Sequence, residues 1–217
     1  MSSPLRSAWT PIALSADVPA LTVMPARLGG ETVALWRSAA GQVTVSADRC
    51  PHRGMRLSHG FVRGEALSCI YHGWSYATSG QCLKIPAHPG LTPPDAIRVE
   101  TYAVTERDGM IWAANVRPSS QAPDLSDLCP LRSLSVVSTV EALKAAAEST
   151  MDERGLLPLG DAGKGVFLLL SAEGNGEILI HVLVPPETKP ADRIAASRTV
   201  EALRRRAEAL CLEGEAA

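Results

Sequence analysis

The sequence predicts an α+β protein in which a β-rich first half is followed by a smaller mixed α/β region. Short Val/Thr/Leu-rich runs separated by turn residues fill residues 20–116, and a segment with helical periodicity closes the chain. The 217 residues, of which 46% are apolar and 20% charged, are enough to bury a core. We therefore predict two domains, residues 1–117 and residues 118–217.

The first half is predicted to form a small antiparallel β-sandwich or barrel. The runs ALTVMPARL and GETVALWRS flank Gly29-Gly30, which is a hairpin signal. The run QVTVSADRC alternates apolar and polar residues and ends at Cys50. A second hairpin is predicted in TYAVTERDGMIWAANV, with Asp108-Gly109 at its tip. Many short strands joined by polar turns are typical of such a fold.

The second half is predicted to mix helices with a hairpin. Residues 117–130 are rich in Pro, Ser and Asp, which favours a linker or a connection along the surface. Ser138 and Glu141 have capping-box spacing ahead of a short helix in VEALKAAAES, and Asn175-Gly176 separates the two apolar runs of a hairpin. The segment PADRIAASRTVEALRRRAEALCLE predicts a final helix. Its apolar residues on roughly one face are Ile194, Val200, Leu203, Ala207 and Leu210.

Composition and charge argue against several classes of protein. The formal net charge of −2 gives no reason to expect nucleic acid or an anionic membrane as a partner. No run of about 18 apolar residues occurs, so we expect no membrane span, and the N-terminal segment lacks the apolar core of a signal peptide. Five cysteines without framework spacing argue against a disulfide scaffold. We therefore expect a cytoplasmic protein.

Four residues on two short segments form the candidate site. Cys50 and His52 lie in DRCPHRGMRLSHG, and Cys69 and His72 lie in LSCIYHGWS. Both segments resemble loops, and four such ligands on two loops predict a metal centre. One interpretation is structural zinc bound by two Cys and two His. The other is an iron–sulfur cluster with two Cys on one iron and two His on the other, which requires one Cys and one His from each loop.

The same two segments resemble the cluster-binding loops of a known family. CPHRG and CIYHGW are similar to the loops of Rieske proteins, specifically the vanillate-demethylase-like non-haem iron oxygenases of aromatic acids and their ethers. The similarity covers about residues 8–117. It implies one [2Fe–2S] cluster per chain, bound by Cys50, His52, Cys69 and His72, and it favours this cluster over zinc.

Other residues near the site have simpler interpretations. Trp74 either shields the cluster from water or is a core aromatic residue. His59 and His88 are expected to be surface or hydrogen-bonded histidines. Cys82, Cys129 and Cys211 are expected to be reduced thiols that bind no metal.

A complete oxygenase of this family also carries a mononuclear iron bound by two His and one carboxylate. After residue 117 this sequence has one histidine, His181, in the strand-like run EILIHVLV. We therefore identify no mononuclear iron site and no catalytic residue in this chain. Residues 166–210 resemble the closing strands and terminal helix of the family's helix-grip domain, which predicts a shortened remnant of that domain.

These expectations favour an electron-transfer protein or subunit, an oxidoreductase component that delivers single electrons to a non-haem iron oxygenase. The resemblance implies a ferredoxin or flavin reductase as electron donor and a larger oxygenase subunit as acceptor, in a hetero-oligomer. Two alternatives stay open. The chain could be an oxygenase for aromatic hydroxylation or O-demethylation that another chain completes, or a non-catalytic assembly subunit of such a complex.

Overall fold

The structure, a computed structural model, describes residues 9–160, 165–174 and 176–215. Its strands and two α-helices confirm the predicted α+β class. The described residues divide into two compact units. The first unit consists of residues 9–10, 15–106 and 111–121, and the second consists of residues 11–14, 107–110 and 122–215. A domain boundary at residue 117 stays a prediction.

Two antiparallel sheets lie within the first unit. The first has the order β2-β3-β4, with β2 at Val23–Leu28, β3 at Glu31–Arg37 and β4 at Val43–Ala47. The second has the order β5-β6-β7-β8, with β5 at Phe61–Arg63, β6 at Ala66–Ser68, β7 at Ser75–Tyr76 and β8 at Cys82–Lys84. The hairpin at Gly29-Gly30 is confirmed, since β2 pairs with β3 and the two glycines have φ angles of 61° and 86°.

A third sheet has the order β1-β10-β9. Its strands are β1 at Thr10–Leu14, β9 at Ala103–Arg107 and β10 at Met110–Ala114. The predicted hairpin at Asp108-Gly109 is confirmed, because these two residues join β9 to β10 with φ angles of 52° and 74°.

The second unit contains a four-stranded antiparallel sheet of order β11-β14-β13-β12, with two helices. The strands are β11 at Cys129–Val137, β12 at Leu156–Leu159, β13 at Val166–Gly174 and β14 at Glu177–Val184. The helices are α1 at Val140–Ala147 and α2 at Pro190–Glu215. Pairing of β13 with β14 confirms the predicted hairpin; Asn175 itself lies outside the described residues. No helix in the described part of the chain is long and apolar enough to cross a membrane.

Of two local predictions in the second half, one is partly correct and one is wrong. Residues 117–128 form no helix or strand, as predicted, but β11 begins at Cys129 and Leu125 is fully buried. The cap of α1 is Thr139, not Ser138: the Thr139 side chain accepts a hydrogen bond from the backbone N–H of Ala142. The helix therefore starts one residue later than the capping-box spacing indicated.

The predicted apolar face of α2 is only partly correct. Val200, Leu203 and Ala207 are buried, and Ala196 completes the buried face. Ile194 is 56% exposed, because at about 100° per residue it lies on the far side of the helix from these residues. Leu210 is 41% exposed and lies at the edge of the same face.

Candidate metal centre

The first predicted loop is a tight turn that begins at Cys50. The backbone N–H of Cys50 donates to the carbonyl of Met55 at 2.9 Å, and its carbonyl accepts from the N–H of Gly54 at 2.8 Å. Gly54 has a φ of 68°, in the left-handed region that favours glycine. The turn buries the Cys50 side chain and leaves His52 partly exposed.

The second predicted loop repeats this backbone pattern. The N–H of Cys69 donates to the carbonyl of Trp74 at 2.8 Å, and the carbonyl of Cys69 accepts from the N–H of Gly73 at 3.0 Å. Gly73 has a φ of 69°, and a Cβ there would lie 3.0 Å from the Cγ of Pro86. Two different sequences thus form the same turn, and each buries a cysteine while leaving a histidine accessible.

The two cysteine side chains form a buried pair. Cys50 and Cys69 are 3% and 2% exposed, belong to one hydrophobic cluster and interact through their side chains. The hydroxyl of Tyr76 lies 3.0 Å from the Cys50 sulfur. Burial, and secondly its hydrogen bond to Cys50, raises the pKa of Tyr76 far above its usual range. This phenol therefore keeps its proton and can donate a hydrogen bond to a thiolate.

Backbone amides partly offset the burial of Cys69. Burial raises the pKa of the Cys69 thiol above its ordinary value, and the neighbouring Cys50 adds to that shift. Hydrogen bonds from the backbone N–H groups of Tyr71 and His72 lower the pKa, because they stabilise the thiolate. The loop that carries the second cysteine therefore also supplies donors for its charged form.

The two histidine rings form an accessible pair. Their centroids are 4.7 Å apart and their planes are 63° apart. Trp74 stacks on His52 with centroids 4.5 Å apart and planes 3° apart, and the ring centroids of Tyr71 and His72 are 3.9 Å apart. Because Trp74 belongs to the second loop and His52 to the first, this stack joins the two loops. Trp74 also packs against the hydrophobic cluster that contains Cys50 and Cys69, as expected of a core aromatic residue. That it shields an iron–sulfur cluster from water stays a prediction.

Two residues that brace the first loop, Asp48 and Arg49, were not predicted from the sequence. Asp48 is buried, and its carboxylate accepts hydrogen bonds from the backbone N–H of Ser58 at 2.6 Å and from the Ser58 hydroxyl at 2.8 Å. Arg49 donates to the carbonyl of Gly54 at 3.2 Å. The position of Asp48 just before Cys50 was the one signal in the sequence. Its partner could not be inferred, because the contact depends on the short 3-10 turn Leu57–His59, which brings Ser58 back to Asp48.

A third thiol lies beside the buried pair. Cys82 belongs to the same hydrophobic cluster and stands opposite Tyr76 where β7 pairs with β8. Burial raises the pKa of the Cys82 thiol. None of the chain's five cysteines, all within the described residues, is in a disulfide. That Cys82 is not a ligand stays a prediction.

Both ring nitrogens of His181 are engaged within the fold, so the residue is not available as a metal ligand. It is fully buried in β14, where its Nδ1 lies 2.8 Å from the Ser133 hydroxyl and its Nε2 lies 3.3 Å from the carbonyl of Pro11. Burial lowers the pKa of His181 to about 4, so the ring is neutral in the folded protein. In the neutral form Nε2–H donates to the Pro11 carbonyl, and Nδ1 accepts from the Ser133 hydroxyl.

Comparison with known proteins decides the nature of the first unit. The family of the Rieske [2Fe–2S] domain matches residues 8–103. This part of the chain is a Rieske domain. The Rieske domain binds a [2Fe–2S] cluster, as the resemblance of the two loops implied.

Two curated relatives share this region. Oxidoreductase NdmD of Pseudomonas putida is 42% identical over 120 residues, which are 55% of this chain and 20% of the relative. Phenoxybenzoate dioxygenase subunit alpha of Ectopseudomonas oleovorans is 42% identical over 110 residues, which are 50% of this chain and 27% of the relative. The match therefore spans only about a quarter of the length of these relatives.

The fold is similar beyond the Rieske domain. A crystal structure of dicamba monooxygenase matches with a TM-score of 0.74 at 18% identity, over 97% of this chain and 88% of that chain. At this identity the similarity concerns the fold alone. It includes the second unit, where the sequence resemblance to a helix-grip domain was weaker than the resemblance of the two loops.

The donor set of the Rieske domain fits its cluster. Within the described residues no three Cys, His, Asp or Glu side chains are grouped as ligands of one metal ion. The donors instead occur as a buried pair of thiols and an accessible pair of imidazoles. Partial burial and the nearby His72 and Arg53 lower the pKa of His52, which favours the neutral imidazole that binds a metal.

Proposed function

We propose that the chain is an electron-transfer protein or subunit whose [2Fe–2S] cluster is bound by Cys50, His52, Cys69 and His72. The observation that carries this proposal is the pair of matching turns. Each turn supplies one buried sulfur and one accessible imidazole, which is the ligand set of a Rieske cluster. The sulfurs of Cys50 and Cys69 would hold one iron, and the rings of His52 and His72 would hold the other.

When bound, such a cluster takes up and releases one electron at a time. The hydroxyl of Tyr76 donates a hydrogen bond to the Cys50 sulfur, and backbone N–H groups donate to Cys69. Donors to ligand sulfurs favour the state with more negative charge, so these contacts stabilise the reduced protein. The Trp74 stack holds the ring of His52 in one orientation.

The partners belong to this proposal. The histidine edges are the accessible part of the site, so we place electron entry and exit there. A ferredoxin or flavin reductase supplies the electron, and a larger oxygenase subunit receives it in a hetero-oligomer. The absence of disulfides among the five cysteines fits the reducing conditions of the cytoplasm, where we place the protein.

An oxygenase completed by another chain is the second candidate. The similarity to the fold of dicamba monooxygenase over 97% of this chain favours it. His181 argues against a mononuclear iron held by this chain alone, because both ring nitrogens are engaged and no other histidine follows residue 117. A non-catalytic assembly subunit would use the same fold for docking only.

A single-turnover experiment separates these candidates. The purified protein is reduced with dithionite, freed of reductant and mixed with oxygen and a panel of methoxylated and chlorinated benzoates. We expect oxidation of the cluster without hydroxylated or demethylated product, because His181 is the one histidine after residue 117 and both of its ring nitrogens are engaged. Product formed without another protein would contradict the electron-carrier proposal and support the oxygenase.

The assembly role needs a different comparison. A Cys69→Ala variant in complex with its oxygenase partner should lose turnover if the chain carries electrons. Full turnover in that complex would instead support a subunit that acts only in assembly.

A further inference from the structure

Three exposed arginines surround the first loop of the Rieske domain. They are Arg49, Arg53 and Arg56. Arg49 contacts the loop directly through its hydrogen bond to the Gly54 carbonyl at 3.2 Å. Arg49 and Arg56 line one cavity of about 280 Å³, together with Glu31 and the buried Asp48. Arg53 directly follows His52 in the sequence and is exposed.

These arginines have no carboxylate partner among the described residues, unlike several other arginines of the chain. Arg37 pairs with Glu106 at 2.9 Å, and Arg204 pairs with Glu201 at 2.6 Å and with Glu208 at 2.8 Å. An unpaired, exposed guanidinium keeps its full capacity to bind a carboxylate from another molecule.

The charge of this region is opposite to that of the whole chain. Residues 49–94 contain five Lys or Arg side chains and one acidic residue, Glu65, although the formal net charge of the chain is −2. The second loop contributes no charged residue. Basic residues therefore outnumber acidic ones in the stretch of sequence that carries the accessible histidines.

Apolar side chains lie next to the second histidine. Ile70 and Tyr71 are 58% and 54% exposed, and the ring centroid of Tyr71 lies 3.9 Å from that of His72. A small apolar and aromatic centre with a charged rim is the usual anatomy of a protein–protein interface. We name the surface formed by the three arginines, Ile70, Tyr71 and the two histidine edges the docking face.

We propose that the docking face receives an acidic electron-transfer protein, whose carboxylates lie opposite Arg49, Arg53 and Arg56 and whose redox centre approaches His52 and His72. This inference rests on the proposed function, since it concerns the same site. The step is the transfer of one electron: the partner is oxidised by one electron and this chain is reduced by one, and no bond forms or breaks. Ile70 and Tyr71 exclude water at the centre of the contact.

Charge of opposite sign affects mainly the rate of association. It steers the partner towards the docking face and raises the association rate, and added salt removes the effect once the Debye length falls to about 10 Å or less. A transient complex of this kind needs only a small interface. The expected signature is a rate that falls with ionic strength and with removal of the arginines.

The test uses two redox proteins of opposite charge as probes in stopped-flow experiments on the full chain. One is a reduced acidic [2Fe–2S] ferredoxin, which donates an electron to the oxidised protein. The other is a ferric basic c-type cytochrome, which takes an electron from the reduced protein. The variants are Arg53→Glu and Arg56→Glu. The matched control is Arg198→Glu, which makes the same charge change at an exposed position of α2.

We expect each docking-face variant to lower the second-order rate with the ferredoxin about ten-fold at low salt. The rate with the cytochrome should rise, and both changes should shrink at high salt. Arg198→Glu should stay within about two-fold of wild type. Equal effects of the control and the docking-face variants, or a wild-type rate with the ferredoxin that does not depend on salt, would overturn the proposal.

Failure of the docking proposal can be told apart from failure of the proposed function. Iron, sulfide and the EPR spectrum of the dithionite-reduced protein are measured before mixing. A protein without a cluster refutes the proposed function, whereas an intact cluster with charge-independent rates refutes the docking face alone. If Arg53→Glu, which lies next to His52, disturbs the cluster, Arg56→Glu still tests the docking face.

Discussion

Replacing Cys69 with Ala should abolish the [2Fe–2S] cluster. The Cys69 sulfur is one of two in the buried thiol pair, and the Ala side chain offers no donor for the iron. Iron and acid-labile sulfide should fall to near zero, and the visible absorbance of the cluster should disappear. The measurement is metal and sulfide analysis of the variant, purified beside the wild type under anaerobic conditions.

Cys82→Ala is the matched control. Cys82 is as buried as Cys69 and belongs to the same hydrophobic cluster, so both substitutions remove one sulfur from one core. Cys82→Ala should keep wild-type iron and sulfide content and lose stability on the order of 1 kcal/mol. If both variants lost the cluster absorbance equally, the assignment of the ligands would be wrong.

Acidification should destabilise the protein through His181. The pKa of this buried ring is lowered to about 4, whereas an unfolded histidine has a pKa of about 6.5. Between these values the unfolded state binds a proton that the folded state does not, so the free energy of unfolding decreases as pH falls. From pH 7 to pH 5 this contribution should lower the free energy of unfolding by about 2 kcal/mol. Urea unfolding across that pH range measures it.

Two variants isolate the contribution of His181. His181→Gln removes the titrating ring while keeping a polar side chain, so its unfolding free energy should depend less on pH, although its stability at pH 7 is lower. His88→Gln removes an exposed histidine and should retain the wild-type pH dependence. A wild-type pH dependence in His181→Gln would show that other groups cause the acid sensitivity.

The candidate site was largely predictable, because its chemistry is encoded locally. Each loop contains its Cys, its His and the glycine that permits the turn within a few residues, so spacing alone indicates a metal centre. The contacts that tune the site are not local. Tyr76 reaches the Cys50 sulfur from β7, and Trp74 covers a histidine of the other loop. Such contacts depend on how strands pair, which no short segment specifies.

The second unit was harder to predict for a related reason. Strand β11 was missed because its sequence, CPLRSLSVV, has a proline as its second residue and no clear alternation. Its place is fixed by pairing with β14, which lies far along the chain. The wrong placement of Ile194 on the buried face of α2 also reflects tertiary contacts. Helical periodicity shows that α2 is amphipathic, but it does not show which residues contact the sheet and α1.

Metal and sulfide content per chain tests the central claim most directly. The anaerobically purified protein should contain about two irons and about two acid-labile sulfides, and reduction should produce the rhombic EPR signal of a cluster with mixed Cys and His ligands. One zinc per chain without sulfide would contradict the account, because the same four residues would then form a structural site that carries no electrons.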